Sequence, residues 1–303
     1  MYDDDPSMTI QSGSAAAPSR RYRSDEPSVL LVDDPRPHVR RLTLNRPEKR
    51  NALNHALRAQ LMDALVDADE DDDVHVMIVR GAGSCFSAGY DLGDGNKGLP
   101  LPHHTAGGFG HWPRHVTDTW MSIWDLAKPV IAQVHGYCLA GGSELATGCD
   151  LVFVAEDAQI GYPAVRFGTP DMQFHPWTLG MRTAMRMRLT GDPLTGAEAA
   201  DGGWANEAFP VERLEDEVLA VAARIARLDP VLTQINKRTV HRQMEVMGIR
   251  TGIRVGTELC TIGTFTPSLE SFMATVRKEG LTAALQERDE PFGDYRSGHD
   301  DEG

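Results

Sequence analysis

The sequence is short of positive charge, of cysteine and of long apolar runs. Its 303 residues carry 30 lysines and arginines against 44 acids, a formal charge of −14. Generic binders of nucleic acid or anionic membranes need a positive surface, so neither partner is expected. The imbalance is concentrated at the ends: residues 1–27 hold five acids against three arginines, and residues 289–303 hold six against one. Half of the net charge therefore lies in two tails. The four cysteines, Cys85, Cys138, Cys149 and Cys260, form no CxxC pair and no dense framework. That fits reduced thiols in a cytoplasm rather than a disulfide scaffold. No apolar run reaches the roughly 18 residues that a membrane helix requires. The acidic start lacks the layout of a secretory signal, and no apolar stretch follows Arg20-Arg21 as a twin-arginine signal would need.

What is present is an ordinary globular composition, 41% hydrophobic with 29 glycines, in a chain long enough to bury a large core. Residues 1–27, rich in Asp, Ser, Ala and Pro, read as a disordered extension, and residues 293–303 as a disordered acidic tail. Val39-Arg40-Arg41-Leu42-Thr43-Leu44 alternates with period two, which predicts a strand and the start of order near Val39. Leu53, Leu57, Leu61, Ala64, Leu65 and Ala68 recur at helical spacing, predicting a helix over residues 54–69. Further strands are predicted over 74–79, 130–134 and 151–154, with helices over 117–126, 141–148, 214–228 and 231–247. From Pro176 onward the pattern is helical. Strands separated by helices and then helices alone indicate an α/β core, residues 28–210, followed by a helical part over 211–292.

Two strand exits hold the candidate chemistry. In His135-Gly136-Tyr137-Cys138-Leu139-Ala140-Gly141-Gly142-Ser143-Glu144-Leu145 a buried strand runs into a helix opened by glycines. A helix start leaves backbone N–H groups unpaired and favours negative charge. Glu144 lies three residues beyond Gly141, on the same face and one turn further in. A carboxylate beside an N–H anion trap has the parts for acid/base work. The spacing equally suits a packing role for the glycines and a dipole role for the glutamate. The second exit, Gly83-Ser84-Cys85-Phe86-Ser87-Ala88-Gly89-Tyr90-Asp91-Leu92, can supply another N–H. It is no dinucleotide fingerprint, since the third glycine of GxGxxG is missing.

Together these segments resemble the crotonase (enoyl-CoA hydratase/isomerase) superfamily. The matching stretches are Leu44-Asn45-Arg46-Pro47 through Asn51-Ala52-Leu53, then Phe86 through Leu92, then Lys128-Pro129 through Cys149-Asp150. The resemblance runs from about Val39 to Phe292. It implies a spiral of ββα units with C-terminal helices that mediate a homotrimer or homohexamer. It implies an acyl-CoA thioester substrate, with coenzyme A as part of the substrate and no other cofactor or metal. The backbone N–H groups of Ala88 and Gly141 are expected to form the oxyanion hole, and Glu144 to act as acid/base. Arg46, Lys49, Arg50 and Ala52 are expected on the CoA side, and Tyr90, Asp91, Leu92 and Ala164 around the substrate.

The pattern departs from the family at one point. Hydratases place a second glutamate after a Gly-x-Pro, and Gly161-Tyr162-Pro163 here leads to Ala164. Asp171 is the nearest substitute, with a turn or N-cap role as the plain alternative; His175 is a further candidate base, although a satisfied histidine at a helix start is the favoured reading of it. An enoyl-CoA hydratase or isomerase is thus the leading expectation. A hydrolase or C–C lyase of the same fold is a second, and an acyl-CoA-binding paralogue with weak activity a third. Pro113 is expected to interrupt any helical HxxxH face in the His103–His115 region, against a metal site.

Overall fold

The structure, a computed structural model, describes residues 28–93, 96, 101–105, 107, 110–169 and 172–295. The readings of residues 1–27 as disordered, of 296–303 in the tail read as disordered from 293, and of Asp171 as a catalytic partner lie outside these residues. The start of that tail is ordered, which corrects its boundary: Asp294 pairs with Arg166 at 2.6 Å, and Tyr295 is buried and donates to Gly191 O at 2.6 Å. The strands are β1 (Leu30–Arg36), β2 (Val39–Leu44), β3 (Val76–Gly81), β4 (Val130–Val134), β5 (Tyr137–Leu139), β6 (Leu151–Ala155), β7 (Gln159–Gly161), β8 (Leu194–Thr195) and β9 (Glu207–Phe209). The helices of the core are α1 (His55–Glu70), α2 (His111–Met121), α3 (Gly141–Gly148), α4 (His175–Thr178), α5 (Gly180–Thr190) and α6 (Gly196–Asp201). Five further α-helices follow: α7 (Val211–Ile225), α8 (Pro230–Val246), α9 (Ile249–Cys260), α10 (Pro267–Glu279) and α11 (Leu281–Asp289).

One sheet has six strands in the order β1-β2-β3-β4-β6-β9, parallel except for β1; a smaller one has the order β5-β7-β8. Successive strands alternate between the two sheets: β4 and β6 lie in the larger, β5 and β7 in the smaller. Each such pair ends in a helical turn, so the α/β spiral of ββα units expected from the resemblance is what the chain forms. Val130-Ile131-Ala132-Gln133-Val134 is buried at every position, as a parallel strand covered on both faces must be.

Local chemistry explains the boundaries. The Asn54 side chain accepts from Leu57 N at 2.9 Å and opens α1, an N-cap that saturates one orphan donor. Leu57, Leu61, Leu65 and Ala68 then point into the core. The expected helix over 117–126 instead begins at His111, because Pro113 falls in its first turn, where no hydrogen bond is lost. Order begins before Val39: β1 pairs antiparallel with β2 despite its Asp33-Asp34-Pro35 stretch. Its outward residues are solvated, so the alternation that marks a buried strand is missing. β8 and β9, beyond Pro176, are two and three residues long, too short to show a period.

The helical part is tied to the core by a buried ion pair. Lys237 of α8 places Nζ 2.9 Å from Asp150 Oδ2 and donates to the carbonyls of Ile123 and Lys128 at 3.1 and 3.0 Å. Asp150 Oδ2 also accepts from Val130 N at 2.7 Å, fixing the start of β4. Removing one partner of a buried pair strands the other charge. Lys237→Ala should therefore destabilise the fold by about 3–5 kcal/mol, read as a lowered urea midpoint. A loss below about 1 kcal/mol would mean that the pair behaves as a surface bridge.

Candidate active site

The two strand exits meet through backbone. Ser87 N donates to Tyr137 O at 2.9 Å and Leu139 N to Ser87 O at 3.0 Å, a parallel bridge between Ser87 and Cys138. Glycine makes the approach possible: a Cβ on Gly142 would lie 2.7 Å from Ser87 O, and one on Gly141 2.7 Å from the Tyr90 ring. Gly89 turns the first loop with φ +96°, a conformation that L side chains rarely adopt. Ala140, immediately before α3, holds φ 44°, an uncommon value for a residue with a Cβ. Its N–H donates to Gly161 O at 2.9 Å, which secures it.

These contacts decide which amides remain free. Among the described residues, Gly141 N–H has no acceptor, as the first residue of α3 should not. Ala88 N–H does have one: it donates to Arg50 O at 2.9 Å. That corrects the expected pairing of Ala88 with Gly141, since an amide already bonded inside the loop is not available to a ligand. Tyr90 N–H, two residues further along that loop, is among those with no acceptor in the described residues. The bond is made because Arg50 adopts a left-handed conformation, φ 50°, and turns its carbonyl toward the loop, which no spacing rule announces.

Glu144 is completely buried in the first turn of α3. Its Oε1 accepts from Met172 N at 2.8 Å, and its Oε2 accepts from the Tyr90 hydroxyl. Tyr90 Oη in turn accepts from Trp120 Nε1 at 2.8 Å. Burial, followed by the charge of Glu144, pushes the Tyr90 phenol well above its ordinary range, so it stays protonated and donates. The glutamate is thereby held in one orientation beside the free N–H of Gly141. Asp171, the chain neighbour of Met172, lies outside the described residues.

Behind Tyr90 stands a buried cation that the sequence reading missed. Arg58, on α1, is 1% exposed. Its guanidinium carbon lies 5.6 Å from the Tyr90 ring centre and 5.5 Å from that of Trp112. Arg58 Nη2 donates to His115 Nε2, and His115 Nδ1, which must then carry the ring proton, donates to Thr105 Oγ1 at 2.7 Å. A signal existed: Arg58 stands three residues before Leu61 and seven before Leu65, inside the apolar stripe of α1.

The remaining expectations separate. Arg46 forms an ion pair with Asp91 at 2.9 Å and donates to the carbonyl of Ala52. Arg46 and Asp91 therefore brace the two loops against each other. Lys49 is exposed, Arg50 lies over the Tyr137 ring at 5.5 Å, and Leu92 is largely exposed. Ala164 is buried in a cluster with Phe167, Phe272 and Ala284. His175 is caged between Phe174 and Tyr162, its ring nitrogens without hydrogen-bond partners. Burial drives its pKa well below the ordinary value, so it is a neutral core histidine rather than a base. Pro113 does not break the HxxxH face: the His111 and His115 rings stack at 5.8 Å. Cys138 is fully buried, which pushes its thiol far up and leaves it inert.

Comparisons with known proteins agree on one family. The family model described as enoyl-CoA hydratase/isomerase matches residues 36–294. The 2,3-dehydroadipyl-CoA hydratase of Escherichia coli is 32% identical over 260 residues, covering 83% of this chain and 93% of that protein. The mitochondrial enoyl-CoA hydratase of Pongo abelii is 31% identical, over 84% of this chain and 83% of its own. Among solved structures, an enoyl-CoA hydratase/isomerase from Xanthobacter autotrophicus superposes with a TM-score of 0.79 at 34% identity, covering 88% of this chain and 98% of that one. An enoyl-CoA hydratase from Mycobacterium smegmatis gives 0.79 at 32% identity, covering 92% and 99%.

The two caged histidines set an acid limit on this architecture. In the unfolded chain each takes up a proton near 6.5, whereas burial and the neighbouring Arg58 hold His115 down to about 3, and His175 is likewise depressed. Below pH 6.5 the unfolded state therefore binds more protons, and stability falls as pH falls. The slope for one such group is at most about 1.4 kcal/mol per pH unit. His175→Phe, an apolar ring in an aromatic cage, should flatten the decline of the urea midpoint between about pH 6.5 and 5. An unchanged slope would place the linkage elsewhere.

Proposed function

Because the chain belongs to the enoyl-CoA hydratase/isomerase family, shown by a match over residues 36–294, we propose that it polarises an acyl-CoA thioester between two backbone amides and moves protons with Glu144. The supporting observation is the pair of unclaimed N–H groups, Tyr90 and Gly141, beside a buried carboxylate. The thioester carbonyl accepts from both amides, which stabilises the negative charge that develops on its oxygen as an enolate forms. The pairing replaces Ala88 with Tyr90 and keeps Gly141 as the helix-start donor.

In an isomerisation, Glu144 takes a proton from the α-carbon of a 3-enoyl thioester. The electron pair passes into the enolate, the double bond shifts, and the proton returns at the γ-carbon. One carboxylate suffices, because the same group removes and returns the proton. In a hydration, water adds hydroxide to the β-carbon and a proton to the α-carbon. Two groups share that work most efficiently, and position 164 carries alanine. Glu144 alone therefore favours isomerisation or slow hydration, with Asp171 as the candidate second carboxylate. Tyr90 is a positioning residue here: its hydroxyl fixes one oxygen of Glu144, and its backbone N–H faces the carbonyl.

Hydrolysis or C–C cleavage through the same enolate needs a further group to handle water. The aromatic cage around His175 removes one candidate and leaves Asp171. The reaction requires no cofactor beyond the CoA of the substrate. Lys49 and Arg50 remain the candidates for its phosphates. Leu232, Ile235, Val240, Leu259, Ile262 and Phe265, exposed on the helical part, support association into a homotrimer or homohexamer. Among the described residues no helix is long and apolar enough to cross a membrane.

The test is mass spectrometry after incubation with 2-enoyl- and 3-enoyl-CoAs in deuterated water. Deuterium uptake with a double-bond shift is expected, and Glu144→Gln should lower turnover roughly 10²- to 10⁴-fold while acyl-CoA binding persists. Undiminished turnover in that variant would remove Glu144 from the mechanism. Binding without any chemistry across the panel would favour a binding paralogue, and release of free CoA a hydrolase.

A further inference from the structure

The acyl-CoA reading places the reacting carbons at Glu144 but leaves unexplained the cation beyond Tyr90. Arg58 is buried as deeply as the leucines around it, yet no carboxylate of the described residues lies within ion-pairing distance of it. Of its three nitrogens, Nη2 reaches His115, while Nε and Nη1 have no hydrogen-bond partner. His115 is held neutral and brings no charge. The charge of Glu144 acts on it through space, but both carboxylate oxygens are engaged by Tyr90 and Met172. The ring faces of Tyr90 and Trp112 compensate the charge in part and accept no conventional hydrogen bond. A plain alkyl chain would leave those N–H groups buried and unanswered, which is costly for a guanidinium.

Resting on the acyl-CoA reading, we propose that Arg58 is the anion anchor of the acyl pocket, and that the substrate is a CoA thioester whose short acyl chain ends in a carboxylate. Tyr90 sets the spacing: its hydroxyl meets Glu144 at the reacting carbons and its ring lies against Arg58. The two charges thus flank one tyrosine, with the guanidinium carbon 5.6 Å from the ring centre and the carboxylate at the hydroxyl, a span that an acyl chain beyond the thioester covers. A carboxylate there accepts charge-assisted hydrogen bonds from a group with no competing acid partner.

Calorimetry with saturated, unreactive pairs tests this: glutaryl- against valeryl-CoA, adipyl- against hexanoyl-CoA, and suberyl- against octanoyl-CoA. The wild-type protein should bind the carboxylated member of at least one pair roughly tenfold or more tightly. Arg58→Met should abolish the advantage and Arg58→Lys keep part of it. If Arg58→Met fails to fold, the monomethyl ester of the preferred ligand removes the charge from the other side, and wild-type binding should lose the same roughly tenfold. Equal binding within every pair, or a preference that survives Arg58→Met or esterification, overturns the role of Arg58 and leaves the acyl-CoA reading standing. Failure of all six thioesters and of free CoA to bind overturns both.

Discussion

The site exists because two backbone segments are allowed to touch. The loop after β3 and the start of α3 come together at the Ser87–Cys138 bridge, where a single Cβ on Gly142 would stand 2.7 Å from the Ser87 carbonyl. From that approach the rest follows. Ser87 commits its amide and carbonyl to the bridge, Arg50 takes up the amide of Ala88, and the next unclaimed N–H falls on Tyr90, whose ring packs against Gly141 at the start of α3. Because both free donors belong to the main chain, no side-chain rotamer has to be frozen to present them, and their direction is as rigid as the sheets behind them.

The electrostatics grow outward from the same place. Glu144 enters the interior with its two oxygens bonded to Met172 N–H and the Tyr90 hydroxyl, which makes a buried carboxylate tolerable. Tyr90 couples that acid to Trp120, Trp112 and Arg58 on α1 and α2. Around this cluster the structure keeps its histidines neutral: His115 because Arg58 and burial oppose its charge, His175 because an aromatic cage does. The result is one acid and one cation in a low-dielectric region with few other charges. In such a place each is felt far more strongly than at the surface.

A different economy operates at the edges of the site. Arg46 and Asp91 look from their loop positions like ligand contacts, but they meet each other and brace the helix-entry loop against the β3 exit. Lys237 and Asp150 do the same between α8 and the core. Arg166 closes on Asp294 at 2.6 Å, anchoring the end of the described chain. Each pair spans elements distant in sequence, so these charges hold the scaffold together.

Much of this was legible in the residues themselves. The period-two run before Asn45, the helical stripe from Leu53 to Ala68 and the strand-to-glycine-to-Glu144 passage each specify local geometry through neighbours a few positions away, and each forms as written. The helix-start amide of Gly141 and the burial of Glu144 follow from that passage alone. What sequence could not decide was pairing across the fold. Whether an amide is free depends on which distant carbonyl reaches it, and the amide of Ala88 is taken by Arg50. Whether Arg46 is available depends on Asp91, 45 residues away, and whether His175 is a base depends on the rings that cage it. Arg58 shows the same limit: its place in an apolar stripe is local information, but that it lies over Tyr90 and Trp112 without an acid partner is decided only when α1 and α2 pack together. Backbone periodicity is a short-range property of the chain, while hydrogen-bond satisfaction and charge pairing are settled only by the packed tertiary structure.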